Sequence, residues 1–178
     1  MFVNKIHMAE NVNRREVWLR GPMPGIPPLL QPVAHTILQA KEEVNRYIID
    51  FPEIFLWVKP GGMASPGFHV QHITGILDRL FTYARGESLN EQQFTFLSNE
   101  ANEPERGGSV HDLLEILNKQ VDKAIEQLSH TDESTLTETR GVGRMQIPST
   151  VLGLLVHAAE HVMRHTGQLL VTTRILKN

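Results

Sequence analysis

Three histidines recur at every fourth position near the C-terminal end of the chain: His157, His161 and His165, within the stretch Leu155–Gln168. The surrounding residues are mostly apolar and follow helical spacing. Residues four apart lie one turn apart on the same helical face, so neighbouring imidazoles there can reach a common point. Such pairs are a standard way for one helix to offer a divalent metal two nitrogen ligands. One ion cannot take all three, because His157 and His165 are two turns, about 12 Å, apart on a straight helix. Helical periodicity turns His161 and His165 towards the interior and His157 towards the rim, beside Glu160 and Arg164. The competing pair gives His157-Ala158-Ala159-Glu160-His161, the H-x-x-E-H order of inverted zinc peptidases, with Glu160 as the base. Those peptidases use a substrate-binding sheet of which this sequence shows no sign, so the pattern favours His161 with His165.

A third ligand must come from another helix facing the same interior. The segment opened by Ser65-Pro66 offers His69 and His72, three residues apart. His69 falls on the apolar stripe with Ile73, Ile76 and Leu80, and His72 falls on its flank; periodicity leaves the choice open. Nine histidines make a single i,i+4 pair inexpensive to find by chance, and most buried histidines only hydrogen-bond to a neighbour. Burying several imidazoles in an apolar bundle is nevertheless costly unless something satisfies their nitrogens, and a metal does so.

The elements that must position these residues are helices. Residues 1–27 carry Gly21, Pro22, Pro24, Gly25 and Pro27 and read as an irregular N-terminal arm, with Trp18 and Leu19 as candidates to pin it to the body. From 28 to 178 the pattern is that of one domain. A first helix spans about Leu29 to Phe51, with Pro32 in its first turn and His35 on its edge. The second runs from Ser65, as N-cap with Pro at the first helical position, to about Arg85 and a Gly86 cap. A short helical turn over Asn90–Leu97 leads into a polar linker ending at Gly107-Gly108. Ser109 with Asp112 forms a capping box for a third long helix reaching Leu128. Residues 130–148 read as a loop with a little extended structure near Met145–Ile147, and Pro148-Ser149-Thr150 starts the last helix. Four amphipathic helices in one chain of this size point to an all-α four-helix bundle.

Composition sets outer limits. A net charge of −3 with no basic cluster gives no footprint for nucleic acid. No apolar run approaches membrane-spanning length, and no signal-peptide pattern is seen, so a cytoplasmic soluble protein is expected. The absence of cysteine excludes thiolate ligands and means that any thiol chemistry needs an external thiol.

Two stretches together resemble the DinB-like superfamily, related to DNA-damage-inducible proteins and distinct from the polymerase that shares the name. Ser65-Pro66-Gly67-Phe68-His69-Val70-Gln71-His72-Ile73 resembles the family's second helix, where a histidine follows the opening serine by seven residues. His161-Val162-Met163-Arg164-His165-Thr166-Gly167-Gln168 resembles its H-x-x-x-H-R-G-Q segment, with Thr166 in place of the usual Arg. Helix order and lengths agree over residues 28–177. The resemblance implies a DinB-like four-helix bundle of up-down-down-up order, often a homodimer, with His72, His161 and His165 as ligands of a zinc, nickel or iron-like divalent ion. It assigns His69 to packing or to support of a ligand. Characterised relatives include thiol-dependent transferases and a thiol-dependent isomerase.

Three neutral imidazoles and an open coordination position are the arrangement of catalytic rather than structural zinc. Bound water then becomes more acidic, or a substrate thiol is held as thiolate. Glu160 and Asp78 are the nearest sequence candidates to orient a ligand imidazole or carry a proton, against the plainer role of solvated helix-edge charges. Gln168 could bond to substrate or to a neighbouring helix, and close helix approach would explain Gly167. The expectation is a metal-dependent hydrolase or thiol-dependent transferase acting on a small molecule; the alternative is a non-catalytic, stress-related metal- or ligand-binding protein.

Overall fold

The computed structural model describes residues 15–177. Residues 1–14 of the expected arm lie outside the described residues. The order is α1 (Gln31–Ile48), α2 (Pro66–Ala84), α3 (Glu91–Asn99), α4 (Val110–Ser129), a hairpin of β1 (Thr139–Val142) and β2 (Ile147–Thr150), and α5 (Val151–Lys177). α5 lies against both α1 and α2, and α4 packs against the same two helices from the other side. The result is an all-α four-helix bundle. Its core is the shared stripe of Ile37, Val44, Ile73, Leu77, Leu117, Val121, Leu155 and Leu169, each at most 1 % exposed.

Local chemistry sets the helix starts. The Ser65 hydroxyl accepts the Phe68 N–H at 3.2 Å and Pro66 begins α2, as the spacing predicts. Ser109 and Asp112 form the expected capping box of α4, and Asn90 with Gln93 forms a second one that opens α3. Gly86 closes α2 at a φ of +79°, a conformation that favours glycine.

Two expectations need correction. Pro148–Thr150 do not begin the last helix: they form β2, paired antiparallel with β1 so that Pro148 faces Gly141 and Thr150 faces Thr139. The helix starts one residue later, where the Thr150 hydroxyl accepts the Gly153 N–H at 3.0 Å. The extended structure expected near Met145–Ile147 is present as this hairpin, with Ile147 opening β2 and Met145 in the turn. The arm is not pinned by Trp18 and Leu19, which are 60 % and 47 % exposed; Val17 is buried instead. Its N–H reaches Gln39 Oε1 at 2.8 Å, and Arg20 reaches Glu42 Oε2 at 2.7 Å.

None of the described helices is long and apolar enough to cross a membrane.

Candidate metal centre

α2 and α5 are in direct contact, and their histidines meet across that contact. His72, His161 and His165 can each present one ring nitrogen such that all three atoms lie within 4.8 Å of one another. His72 Nε2 is 2.9 Å from His161 Nε2, and the His165 ring centre is 4.4 Å from that of His72 and 4.8 Å from that of His161. All three rings are half-buried rather than fully interior, so the cluster sits at the edge of the core with one side towards solvent. Phe68 stacks on His72 with ring centres 5.2 Å apart and planes 15° apart, closing another side with an apolar face.

His69 behaves as its stripe position predicts. It is buried among core residues and places Nδ1 3.1 Å from His165 Nδ1, so it touches one of the three rings without joining the convergent group. Burial, with the neighbouring His72 adding repulsion, pushes the His69 pKa down to about 4. Burial together with His72, His161 and His69 pushes His165 down to about 3. His161 is lowered for the same kind of reason, burial first and His72 second. Neutral rings keep a lone pair available, the condition a metal ligand must meet.

The His161 Nδ1 atom is buried and has no hydrogen-bond partner among the described residues. Unpartnered buried polar atoms are uncommon and call for an explanation. A set of imidazoles converging on one point, with no thiolate and one solvent-facing side, suits a borderline divalent cation such as zinc or nickel.

A second group, His157, Glu160 and His161, also has ligand atoms within 4.8 Å of one another, but His157 and Glu160 are exposed. Glu160 pairs with Arg164 on the solvent face and lies 3.7 Å from His157 Nδ1. The two-stranded hairpin is the sole sheet among the described residues. For Glu160 the structure shows the plainer of the two roles weighed, an exposed charge paired on the helix edge. Asp78 accepts the Gln93 side-chain amide at 2.8 Å and so ties α3 to α2. Gln168 is exposed, and among the described residues a Cβ on Gly167 would meet nothing within 4 Å, so close packing by the described helices does not account for that glycine.

The residue that sequence reasoning missed is Glu100, at the C-terminal end of α3. It is 4 % exposed, accepts from His72 Nδ1 at 2.7 Å through Oε2, and pairs with Arg79 through Oε1. It stands in a polar stretch that reads as linker, and no spacing rule connects it to a histidine 28 positions away. The one available signal was Gly75 on the site side of α2: a Cβ there would lie 2.1 Å from Glu100 Oε1, so only glycine leaves the carboxylate room.

A family model of the DinB superfamily matches residues 8–169. No curated protein matches the chain. Among solved structures, one described as a conserved protein from Enterococcus faecalis aligns with a TM-score of 0.63 at 16 % identity, covering 82 % of this chain and 95 % of its own, a likeness of fold. With the match covering α2 and α5 as far as residue 169, and so all of their histidines, the chain belongs to the DinB superfamily.

Proposed function

We propose that the protein holds one divalent metal ion through His72, His161 and His165 and acts on a small molecule there, either hydrolysing it or transferring a group to or from an external thiol. The supporting observation is the meeting of three imidazole nitrogens from two helices within 4.8 Å. Zinc or nickel suits such a nitrogen donor set, and a bound divalent ion supplies Lewis acidity that activates a water or a thiol. The chain's own part is to keep His161 and His165 neutral by burial, to shield one side with Phe68, and to leave the other side open for substrate. With no cysteine in the sequence, a thiol nucleophile must be a co-substrate.

Protein purified without an affinity tag should carry about one divalent ion per chain, and His161→Ala should lose it. Absence of stoichiometric metal from the wild type after incubation with zinc, nickel and ferrous iron would overturn the reading. The metal-loaded protein should then turn over model esters, or conjugate electrophiles only when a low-molecular-weight thiol is supplied. Persistent inactivity would move the assignment to a non-catalytic metal-binding protein.

A further inference from the structure

Resting on the metal-centre reading, we infer that Glu100 is a positioning residue: its carboxylate fixes the His72 ring in the tautomer that presents Nε2 to the metal, and thereby sets the affinity of the site. A carboxylate oxygen can only accept, so the 2.7 Å contact with Oε2 puts the ring hydrogen of His72 on Nδ1. The lone pair then lies on Nε2, the atom that faces His161. A carboxylate behind a ligand imidazole both orients the ring and raises its basicity.

The chain devotes several features to bringing Glu100 there. Arg79, itself 6 % exposed, pairs with the other carboxylate oxygen and offsets the cost of a buried negative charge. The backbone is held as well: the Gln71 side-chain amide donates to the Glu100 carbonyl at 3.2 Å and to the Asn102 carbonyl at 2.9 Å. Farther along α3, Gln93 is anchored to Asp78 and to the Thr82 hydroxyl, both at 2.8 Å. Gly75 supplies the remaining space, since a Cβ would also lie 2.5 Å from Arg79 Nη1. The plainer role for the Glu100–Arg79 pair is docking α3 onto α2. That role alone does not demand that the second oxygen meet the outward nitrogen of a ligand histidine.

The test measures two things on the full chain. The first is the dissociation constant for zinc, by competition with a chromophoric chelator, in wild type, Glu100→Gln, Gly75→Ala and Glu160→Gln. The second is the 15N shift pattern of His72 in the metal-free wild type and Glu100→Gln, which reports the tautomer without any metal. Both Glu100→Gln and Gly75→Ala should weaken zinc binding by about 10- to 100-fold. Glu160→Gln should leave it unchanged, and His72 should show the Nδ1–H pattern in wild type and lose it in Glu100→Gln. Should Glu100→Gln fail to fold, Gly75→Ala decides the affinity arm, because it displaces the carboxylate without removing a polar group. Unchanged affinity in a folded variant, or a wild-type His72 protonated on Nε2 instead, overturns the role of Glu100. Failure of the wild type to bind zinc, nickel or iron overturns the metal-centre reading instead, and the tautomer measurement still decides whether Glu100 orients His72.

Discussion

The two helices that meet at the site contribute histidines in different ways. On the α2 side, His72 is braced on both faces of its role: Phe68 stacks on its ring and Glu100 accepts from its outer nitrogen. The glycines of that side are crowded, Gly75 by Glu100 and Arg79, Gly67 by the Trp57 ring. On the α5 side, His161 Nδ1 has no described partner, His165 leans on another histidine, and Gly167 has no described neighbour within 4 Å of an added Cβ. His72 is therefore held by a stacked ring and a carboxylate, whereas the described neighbours of His161 and His165 across the site are other histidines and Phe68.

The comparison is broken most severely by removing histidines. His161→Ala should abolish stoichiometric metal binding, whereas His157→Ala, which alters an exposed ring on the same helix, should leave it intact. Metal content of the two purified variants checks this; loss from both would instead favour the solvent-facing group with Glu160, to which His161 also belongs.

Proton uptake acts on the interior rings next. His69 and His165 titrate at about 4 and about 3 in the fold, against 6.5 when unconstrained. Below pH 6.5 the unfolded chain therefore binds protons that the folded chain does not, so stability present above 6.5 is lost as pH falls towards 4 and then 3. Urea midpoints of the metal-free protein should fall from pH 7.5 to pH 5. A flat profile would mean that these rings are not held neutral by burial.

Glycine substitutions sharpen the contrast between the two sides on a smaller scale. Gly67→Ala puts a Cβ 2.7 Å from Trp57 ring carbons and should destabilise by about 1–3 kcal/mol. Gly167→Ala meets nothing within 4 Å in a helix interior and should stabilise by up to about 1 kcal/mol. Chemical denaturation of both variants reads the two signs directly. A destabilising Gly167→Ala would show that another surface packs against that glycine.

Much of this architecture was legible in the residues. The four helices follow from apolar spacing, and the starts of α2 and α4 from Ser65 and Ser109, because these signals are local and the core enforces them. The α5 pair was legible for the same reason: i,i+4 geometry needs nothing beyond one helix. His72 was not separable from His69 by periodicity, since both face the interior within one turn, and its selection needed the resemblance of the Ser65–Ile73 stretch to the superfamily. Glu100 was beyond reach because its burial depends on where a nine-residue helix docks, and docking is set by scattered long-range bonds such as Gln93 to Asp78. Glu160 shows the complementary case: it is adjacent to His161 in sequence, but on a helix that adjacency turns it to solvent, where Arg164 takes it, the plainer role weighed for it. Pro148–Thr150 reads as a helix start because its residue types suit a cap, but strand pairing with Thr139–Gly141 claims it first.

The central claim is that α2 and α5 share one ion, and the most direct measurement is calorimetric titration of zinc into metal-free wild type and His72→Ala at neutral pH. The account predicts one site per chain in the wild type and its loss, or at least a severe weakening, in His72→Ala, although α5 and all of its histidines are untouched. Equal stoichiometry and affinity in the two proteins would contradict it, because α5 alone would then be sufficient to hold the metal.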